Sequence, residues 1–509
     1  MQVSRGDVLT VVLAGSAGTI TYLMCKLFFL PRPPPMIEVM PIPSRSTLMG
    51  RVLTLFGGHL ISELQDEAFA RHIGWHKLTN GKPFTYRIAH LHIIGVANAD
   101  DLRYLLVDNY RNYEKNYGYR ILEKIIGKGL VSIIDDDDHT VQRREVSPAF
   151  SPASLKFIAN VTVRTHAATL VKTMKSIAHR PVGDGGNKTV VRELMNRTTM
   201  SVITQAAFHS DEGEQTEQLA KDFHDVVENG AGEGRFIPAI DAIFFRKRNQ
   251  ILHQARDRLH RTSRDIAENV RRKNAEQGGA TIEDGKGRAL IDYIVDSKIF
   301  DHQQLLNHCL TFLFAGFETS SNTLQWTLLL LAKAPQIQDQ LYEELAAVVG
   351  KDTYCEVDDL KSCKFLYNVI KEVLRLYPPA AVLSRSSVKD DVLPSGTFIP
   401  GGSFVVPNFF VCHRDPDIWG ADSNEFNPYR WDSPNIAAIE ERAWMPFSLG
   451  KRNCIGKDFA MNEIALLLAA IVRNIKLVWP EDEPIPVRSL QMTMKTKQPF
   501  NLLLEEREE

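Results

Sequence analysis

The ten residues Phe447-Ser-Leu-Gly-Lys-Arg-Asn-Cys-Ile-Gly456 decide the fold of this chain. They place Cys454 between Gly450 and Gly456, and a backbone that passes close to a flat ligand needs glycine for clearance. An apolar run with helical spacing follows from Phe459 to Ile471. Cys454 is therefore predicted at a helix N-terminus, where backbone N–H groups lower the pKa of a thiol and favour its metal-ligating thiolate form.

A second signal is a polar interruption, Ala315-Gly-Phe-Glu-Thr319, inside the long apolar run from Leu305 to Leu331. A membrane span is disfavoured because several polar side chains would lie in hydrocarbon. The run predicts a buried central helix instead. A glycine beside Glu318 and Thr319 weakens the hydrogen-bond ladder and leaves polar groups that can hold water or dioxygen. The alternative is an ordinary polar patch packed against another helix.

A third signal is Glu372-Val-Leu-Arg375, which precedes the helix-ending pair Pro378-Pro379. The i, i+3 spacing puts Glu372 and Arg375 on one helical face. They are either an exposed salt bridge that contributes a few tenths of a kcal/mol or part of a larger buried network.

Composition excludes some classes of protein. The 509 residues are 44% hydrophobic and 24% charged, and the formal net charge of −2 gives no support for nucleic-acid binding. The six cysteines are scattered without a CxxC pair. This pattern argues against a disulfide scaffold or a zinc module.

The N-terminus predicts a membrane anchor. The stretch from Val8 to Leu30 is mostly apolar, with Lys26 as its only charge, and a helix of that length spans roughly 34 Å, enough for a bilayer core. A cleavable signal peptide is the disfavoured alternative, because cleavage near Ala14 to Ala17 would leave another apolar run. The prolines from Pro31 to Pro35 then form a stiff spacer.

These motifs, in this order, resemble those of the cytochrome P450 family of eukaryotic microsomal type. The loop fills the FxxGxRxCxG pattern, the polar interruption matches AGxET, and Arg430 remains in a degenerate PERF-like segment, Pro428 to Trp431. The resemblance implies a mainly α fold with a smaller β portion, divided into an anchor and hinge at 1–35 and a catalytic domain at 36–509. It also implies haem b bound through Cys454, and a buried network of Glu372, Arg375 and Arg430 that supports the haem region.

The resemblance assigns further residues to the cofactor. Alignment with the WxxxR helix of the family places Arg143 at a haem propionate, with His139 in place of the tryptophan. Arg452 and Arg385 fit two further propionate contacts, although an exposed surface arginine remains the alternative for Arg385. The neighbouring acidic run from Asp135 to Asp138 predicts a solvated helix N-terminus rather than a metal site.

The implied activity is insertion of one oxygen atom from O2 into a lipophilic small molecule, with Glu318 and Thr319 relaying protons. Electrons would come from NADPH through a separate NADPH-cytochrome P450 reductase, since no flavin-binding extension follows Glu509. The protein would be a single-pass protein of the endoplasmic reticulum membrane, with its catalytic domain facing the cytosol. Three N-x-Ser/Thr sequons weigh weakly against that orientation: Asn160, Asn187 and Asn196.

The substrate class stays open at this point. A fungal secondary metabolite such as a terpenoid or polyketide is the first hypothesis, and fatty-acid hydroxylation is an alternative. A P450-like isomerase or dehydratase without a reductase, and a haem-based gas sensor, are two further alternatives. Glu318 and Thr319 disfavour both, because neither needs a proton relay.

Overall fold

A computed structural model describes residues 38–39, 69–88, 91–181, 186–208, 213–230, 246–276, 289–297, 299–350 and 355–507. The predicted anchor and the proline hinge lie outside the described residues. Within these ranges, no helix is both long enough and apolar enough to cross a membrane.

Helices make up most of the described chain, as the sequence predicts. Their bounds are α1 (Ala70–Leu78), α2 (Ala99–Arg103), α3 (Tyr117–Ile126), α4 (Asp136–Val146), α5 (Pro152–Ile158), α6 (Arg164–Ala178), α7 (Val191–Phe208), α8 (Gly213–Gly230), α9 (Arg246–Glu276), α10 (Leu290–Asp296), α11 (His302–Lys333), α12 (Pro335–Val348), α13 (Lys364–Leu376), α14 (Phe409–Cys412), α15 (Pro416–Trp419), α16 (Ile436–Ala443) and α17 (Lys457–Asn474).

The strands are short and form the predicted smaller β portion. They are β1 (Glu38–Val39), β2 (Phe84–Ile88), β3 (Leu91–Val96), β4 (Tyr113–Lys115), β5 (Lys188–Val190), β6 (Arg385–Ser387), β7 (Asp391–Val392), β8 (Phe398–Ile399), β9 (Phe404–Pro407), β10 (Ile475–Val478), β11 (Arg488–Leu490), β12 (Met494–Thr496) and β13 (Asn501–Glu506). One sheet has the order β1-β2-β3-β9-β6-β4, a second has the order β10-β13-β5, and β7-β8 and β11-β12 are two-stranded.

The long helix α11 crosses the core, which confirms the prediction of a buried central helix. It begins at the capping residue Asp301, whose side chain accepts from the backbone N–H of Gln304. Most of its side chains are buried, although many are polar. Gly316 allows close packing of α7, because a Cβ at this position would lie 2.7 Å from Cδ1 of Ile203. Ala315, Gly316 and Thr319 of α11 line a large cavity.

Two further elements end and begin where the sequence predicts. Helix α13 ends at Leu376, just before the proline pair. Helix α17 has Gly456 as its N-cap and starts at Lys457, three residues after Cys454. The loop that carries the cysteine is therefore held at the start of a long buried helix.

Candidate active site

A cavity of about 1010 Å³ lies between α11 and the cysteine loop. Cys454 lines one part of its wall, and Ala315 and Thr319 of α11 line another. Most of the remaining lining side chains are apolar. We call this space the central cavity.

The cysteine loop contains one position, Gly450, whose backbone conformation and close packing require glycine. Gly450 has a φ of 70°, and a Cβ there would collide with the carbonyl oxygen of Leu106. The Cys454 N–H donates to the carbonyl of Phe447 at 2.9 Å. These contacts fix the backbone that carries the sulfur atom. Cys454 is the one exposed cysteine among those that the structure describes, and it lines the central cavity.

The pKa of Cys454 differs in sign from the sequence prediction. Desolvation by the surrounding protein raises the pKa of this thiol, while the Gly456 backbone N–H and the charge of Arg143 oppose the rise. The Gly456 N–H contributes the lowering that a helix N-terminus predicts, but desolvation outweighs it, so the net shift is upward. Coordination to a metal ion deprotonates a thiol outright, so the loop remains suited to a metal-bound sulfur.

The predicted acidic helix start is confirmed and has a structural partner. Asp135 caps α4 by accepting from the Asp138 N–H. Asp136, in the first turn, forms a salt bridge with Arg452, whose guanidinium also donates to the carbonyls of Ile133 and Ile134 at 2.9 Å each. Arg452 lines the central cavity, but protein groups already accept several of its N–H groups.

Arg143 ties α4 to the cysteine loop. Its two terminal nitrogens donate to the carbonyl and to the side-chain Oδ1 of Asn453, at 2.6 and 2.7 Å. Because Asn453 precedes Cys454 directly, Arg143 positions the loop as well as lining the cavity. The neighbouring His139 is buried, and desolvation lowers its pKa to about 3. This histidine is therefore neutral at physiological pH.

Arg385 is buried, which excludes the alternative that it is an exposed surface arginine. It is only 4% exposed, on strand β6, and lines the central cavity. One nitrogen donates to the Tyr119 hydroxyl at 3.1 Å and to the Ser384 carbonyl at 2.9 Å. No carboxylate pairs with this guanidinium among the described residues.

Lys115 is a cavity residue that the sequence analysis missed. Its Nζ donates to the carbonyl of Val131 at 2.7 Å and lies 4.9 Å from the centre of the Tyr119 ring. Desolvation, and then the charges of Arg452 and Arg385, lower the pKa of Lys115 well below its ordinary value. The sequence gives no local sign of this role, because Lys115 is far along the chain from both arginines and meets them only in the folded protein.

This end of the cavity fits a ligand with negative groups. Lys115 lies near three arginines, Arg143, Arg385 and Arg452, and near one acid, Asp136. Each arginine disfavours the charged form of Lys115, because like charges repel. Charge-assisted hydrogen bonds to carboxylates would relieve this repulsion. The two propionates of haem b supply such carboxylates, so the residues present fit that cofactor.

The two predicted proton-relay residues face different spaces. Thr319 lines the central cavity, and its Oγ1 donates to the carbonyl of Ala315 at 2.7 Å. Glu318 lines a separate small cavity and accepts from the Thr493 hydroxyl at 2.8 Å. Burial raises the pKa of Glu318, opposed by Lys495 and Thr493. The structure thus places Thr319 at the cavity and Glu318 behind it.

The predicted buried network is present, which excludes an exposed salt bridge. Arg375 donates to both oxygens of Glu372 at 2.9 and 2.8 Å, and both side chains have 0% exposure. Arg430 donates to Glu372 at 2.9 Å, and Trp431 donates at 3.1 Å. Arg375 also donates to the carbonyl of His413 at 2.6 Å. The network joins α13 to the segment that leads to the cysteine loop.

Comparison with known proteins agrees with this architecture. The family model for Cytochrome P450 matches residues 49–504. Cytokinin hydroxylase of Arabidopsis thaliana is 31% identical over 391 residues, which cover 74% of this chain and 72% of that protein. The human ultra-long-chain fatty acid omega-hydroxylase is 33% identical over 249 residues, 47% of each chain.

A fungal protein covers more of the chain. Cytochrome P450 monooxygenase sphH of Aspergillus fumigatus is 29% identical over 509 residues, which cover 95% of this chain and 91% of that protein. A mainly α fold with a cavity between a cysteine loop and a polar central helix defines the class. The chain belongs to the cytochrome P450 family and is a P450 monooxygenase.

Replacing Lys115 with methionine is expected to weaken haem retention by about tenfold or more, because a hydrogen bond to a charged group contributes about 1.5–3 kcal/mol. The rate of haem transfer to an apo-globin scavenger measures the effect. Lys128→Met is the matched control, since the Lys128 side chain is 68% exposed. Equal rates for the two variants would remove Lys115 from the propionate site.

Proposed function

We propose that this protein inserts one oxygen atom from O2 into a lipophilic small molecule and uses haem b as its cofactor. The main support for this proposal is the arrangement of the central cavity, which has Cys454 on one wall, Thr319 on another and a mainly apolar lining. When bound, the haem supplies the oxidising chemistry, and thiolate ligation favours cleavage of the O–O bond.

The protein holds the cofactor with two sets of residues. Cys454 is the proposed iron ligand, on a loop whose direction Arg143 and Gly450 fix. The proposed propionate contacts are the polar side chains at one end of the cavity: Lys115, His139, Arg143, Arg385 and Arg452. Arg452 and Arg143 also hold the loop against α4, so they support the site through two kinds of contact.

Thr319 and Glu318 are the proposed proton-transfer residues. The Thr319 hydroxyl reaches the cavity, where it can hold a proton donor in position. Burial raises the pKa of Glu318, which favours a protonated acid one residue away. Glu318 borders the small cavity, so it would supply protons from the side of α11 that faces Thr493.

The Thr319→Val variant is expected to form roughly one-tenth or less of the product per NADPH consumed, because a positioned proton-transfer group contributes about 100-fold or more to rate. Thr327→Val is the matched control. Thr327 lies on the same helix, makes the same type of hydrogen bond at 2.8 Å and is buried away from the central cavity. Hydrogen peroxide and product are measured together with a reductase present.

The same assay separates the alternative functions. A monooxygenase requires NADPH and reductase for product formation. Turnover of a peroxide substrate without a reductase would favour the isomerase or dehydratase, and haem binding without any turnover would favour a sensor. If Thr319→Val and Thr327→Val lowered product yield equally, Thr319 would have no special role.

We place the protein at the endoplasmic reticulum membrane with its catalytic domain in the cytosol, served by NADPH-cytochrome P450 reductase. The sequon side chains support this orientation because each is engaged within the fold. The Asn160 amide donates to Glu356 at 3.0 Å, and the Asn187 amide donates to the carbonyl of Leu504 at 2.9 Å. Asn196 accepts from Ser321 at 2.6 Å.

For the substrate, we favour a secondary metabolite such as a terpenoid or polyketide, supported by the long match to a fungal monooxygenase. Fatty-acid hydroxylation is the second candidate, favoured by the match to a protein named as a fatty acid omega-hydroxylase. Binding difference spectra across lipophilic compound classes would distinguish the two.

A further inference from the structure

One acidic side chain stands out in the wall of the central cavity. Glu228, near the end of α8, is the only carboxylate among the described residues that line it. It faces the hairpin formed by β11 and β12, which contributes Gln491 and Lys495 to the same wall. A charged group in a mainly apolar cavity indicates a role in recognition, because apolar contacts alone do not require one.

Glu228 and Lys495 form an ion pair in which the lysine is buried and the carboxylate is partly exposed. Nζ of Lys495 lies 2.5 Å from Oε1 of Glu228, and Gln491 donates to Oε2 at 2.8 Å. The Lys495 side chain is 7% exposed and that of Glu228 is 35% exposed. Burial alone would raise the pKa of Glu228, but the hydrogen bonds from Lys495 and Gln491 outweigh it and lower the pKa. The carboxylate is therefore ionised at neutral pH.

The titratable groups near the pair include one further cation, Arg192, whose charge interacts with that of Glu228. Burial lowers the pKa of His224, so this ring is uncharged. Burial raises the pKa of Glu318, which favours its neutral form. Arg192 lines the small cavity and directs a nitrogen to the Thr496 side chain at 3.0 Å.

Two other cations of the hairpin segment, Arg488 and Lys497, also line the central cavity. The Arg488 guanidinium lies 5.0 Å from the centre of the Phe410 ring. Lys497 is exposed. Of the three hairpin cations, Lys495 is the buried one, and it is the one that pairs with Glu228.

On the basis of the proposed function, we propose that Glu228 and Lys495 form a subsite that selects lipophilic substrates carrying a neutral hydroxyl group. A carboxylate has several acceptor positions, and an ammonium group has three donors, of which Glu228 takes one. A hydroxyl can donate to Glu228 while accepting from Lys495, so it matches both partners. An anion would compete with Glu228 for Lys495, and a cation would compete with Lys495 for Glu228, whereas a neutral hydroxyl leaves the pair intact.

The test is calorimetric binding of decanol and decyl methyl ether to the full chain. The ether keeps the acceptor oxygen and lacks the donor. Wild-type protein is expected to bind decanol about tenfold more tightly, because a hydrogen bond to a charged group is stronger than a neutral one. The double variant Glu228→Gln with Lys495→Met removes both charges together, so no uncompensated charge stays buried. It is expected to lose most of that preference.

Lys497→Met is the control, and it is expected to keep the preference for decanol. The proposal is overturned if wild-type protein shows no preference, or if the double variant keeps it. It is also overturned if decanoate binds more tightly than decanol, which would assign the wall to an anion. Calorimetry does not depend on haem absorbance, so failure of the subsite is distinguishable from failure of haem binding, which the Soret band reports.

Discussion

Replacing Glu372 with alanine is expected to lower the free energy of unfolding by about 3–5 kcal/mol, because removing one partner leaves a buried charge uncompensated. Arg375 has no exposed surface and Arg430 is only 8% exposed, so water cannot replace the lost carboxylate. The loss should also impair haem incorporation, since the network joins α13 to the chain segment that precedes the cysteine loop. Denaturant unfolding monitored by circular dichroism measures the change.

The control for Glu372→Ala is an ion pair of similar geometry on the surface. Arg442 and Asp100 are joined at 2.8 Å, with side chains 54% and 53% exposed. Arg442→Ala is expected to cost about 1 kcal/mol or less. A Glu372→Ala variant that unfolded at the same denaturant concentration as Arg442→Ala would contradict the assigned structural role.

The second large effect concerns Glu463 on α17, a fully buried acid. Burial raises its pKa from the ordinary value of 4.5 to about 8, against a smaller opposing effect of Ser320. The folded state binds the proton of Glu463 more tightly than the unfolded state does. The contribution of this proton to the free energy of unfolding is therefore fully present below about pH 4.5 and is lost as the pH rises through about 8. The expected total loss is about 4–5 kcal/mol.

Glu463→Gln keeps the shape of the side chain and cannot ionise. The difference in unfolding free energy between this variant and wild type should therefore grow in favour of the variant between about pH 5 and about pH 9. Glu441→Gln is the control, because Glu441 is exposed. A constant difference across that range would show that Glu463 does not change its protonation state in the folded protein.

Local sequence was sufficient to predict a structural feature where the residues that determine it belong to one segment of the chain. The cysteine loop, the helix that follows it and the buried run of α11 appear where their residue patterns predict them. The Glu372 network was also predicted, because two short sequence motifs contain its three charged residues, Glu372, Arg375 and Arg430. In each of these cases the decisive residues lie within a few turns of one another or belong to a recognisable pair of motifs.

Tertiary packing decided the features that the sequence did not predict. Lys115 joins Arg385 and Arg452 only when distant segments meet. The sign of the Cys454 pKa shift depends on how much protein surrounds the sulfur atom, which no local pattern encodes. Glu318 faces the small cavity because of its angular position on α11, and Arg452 pairs with Asp136 of a segment more than 300 residues away.

Carbon monoxide binding to the reduced wild-type protein, beside Cys454→His, tests the central claim most directly. We expect the wild type to show the red-shifted Soret band of thiolate-ligated haem iron, and the variant, where it retains haem, to show the band of imidazole-ligated iron. A wild-type spectrum without the thiolate band, or one that the substitution leaves unchanged, would contradict this claim.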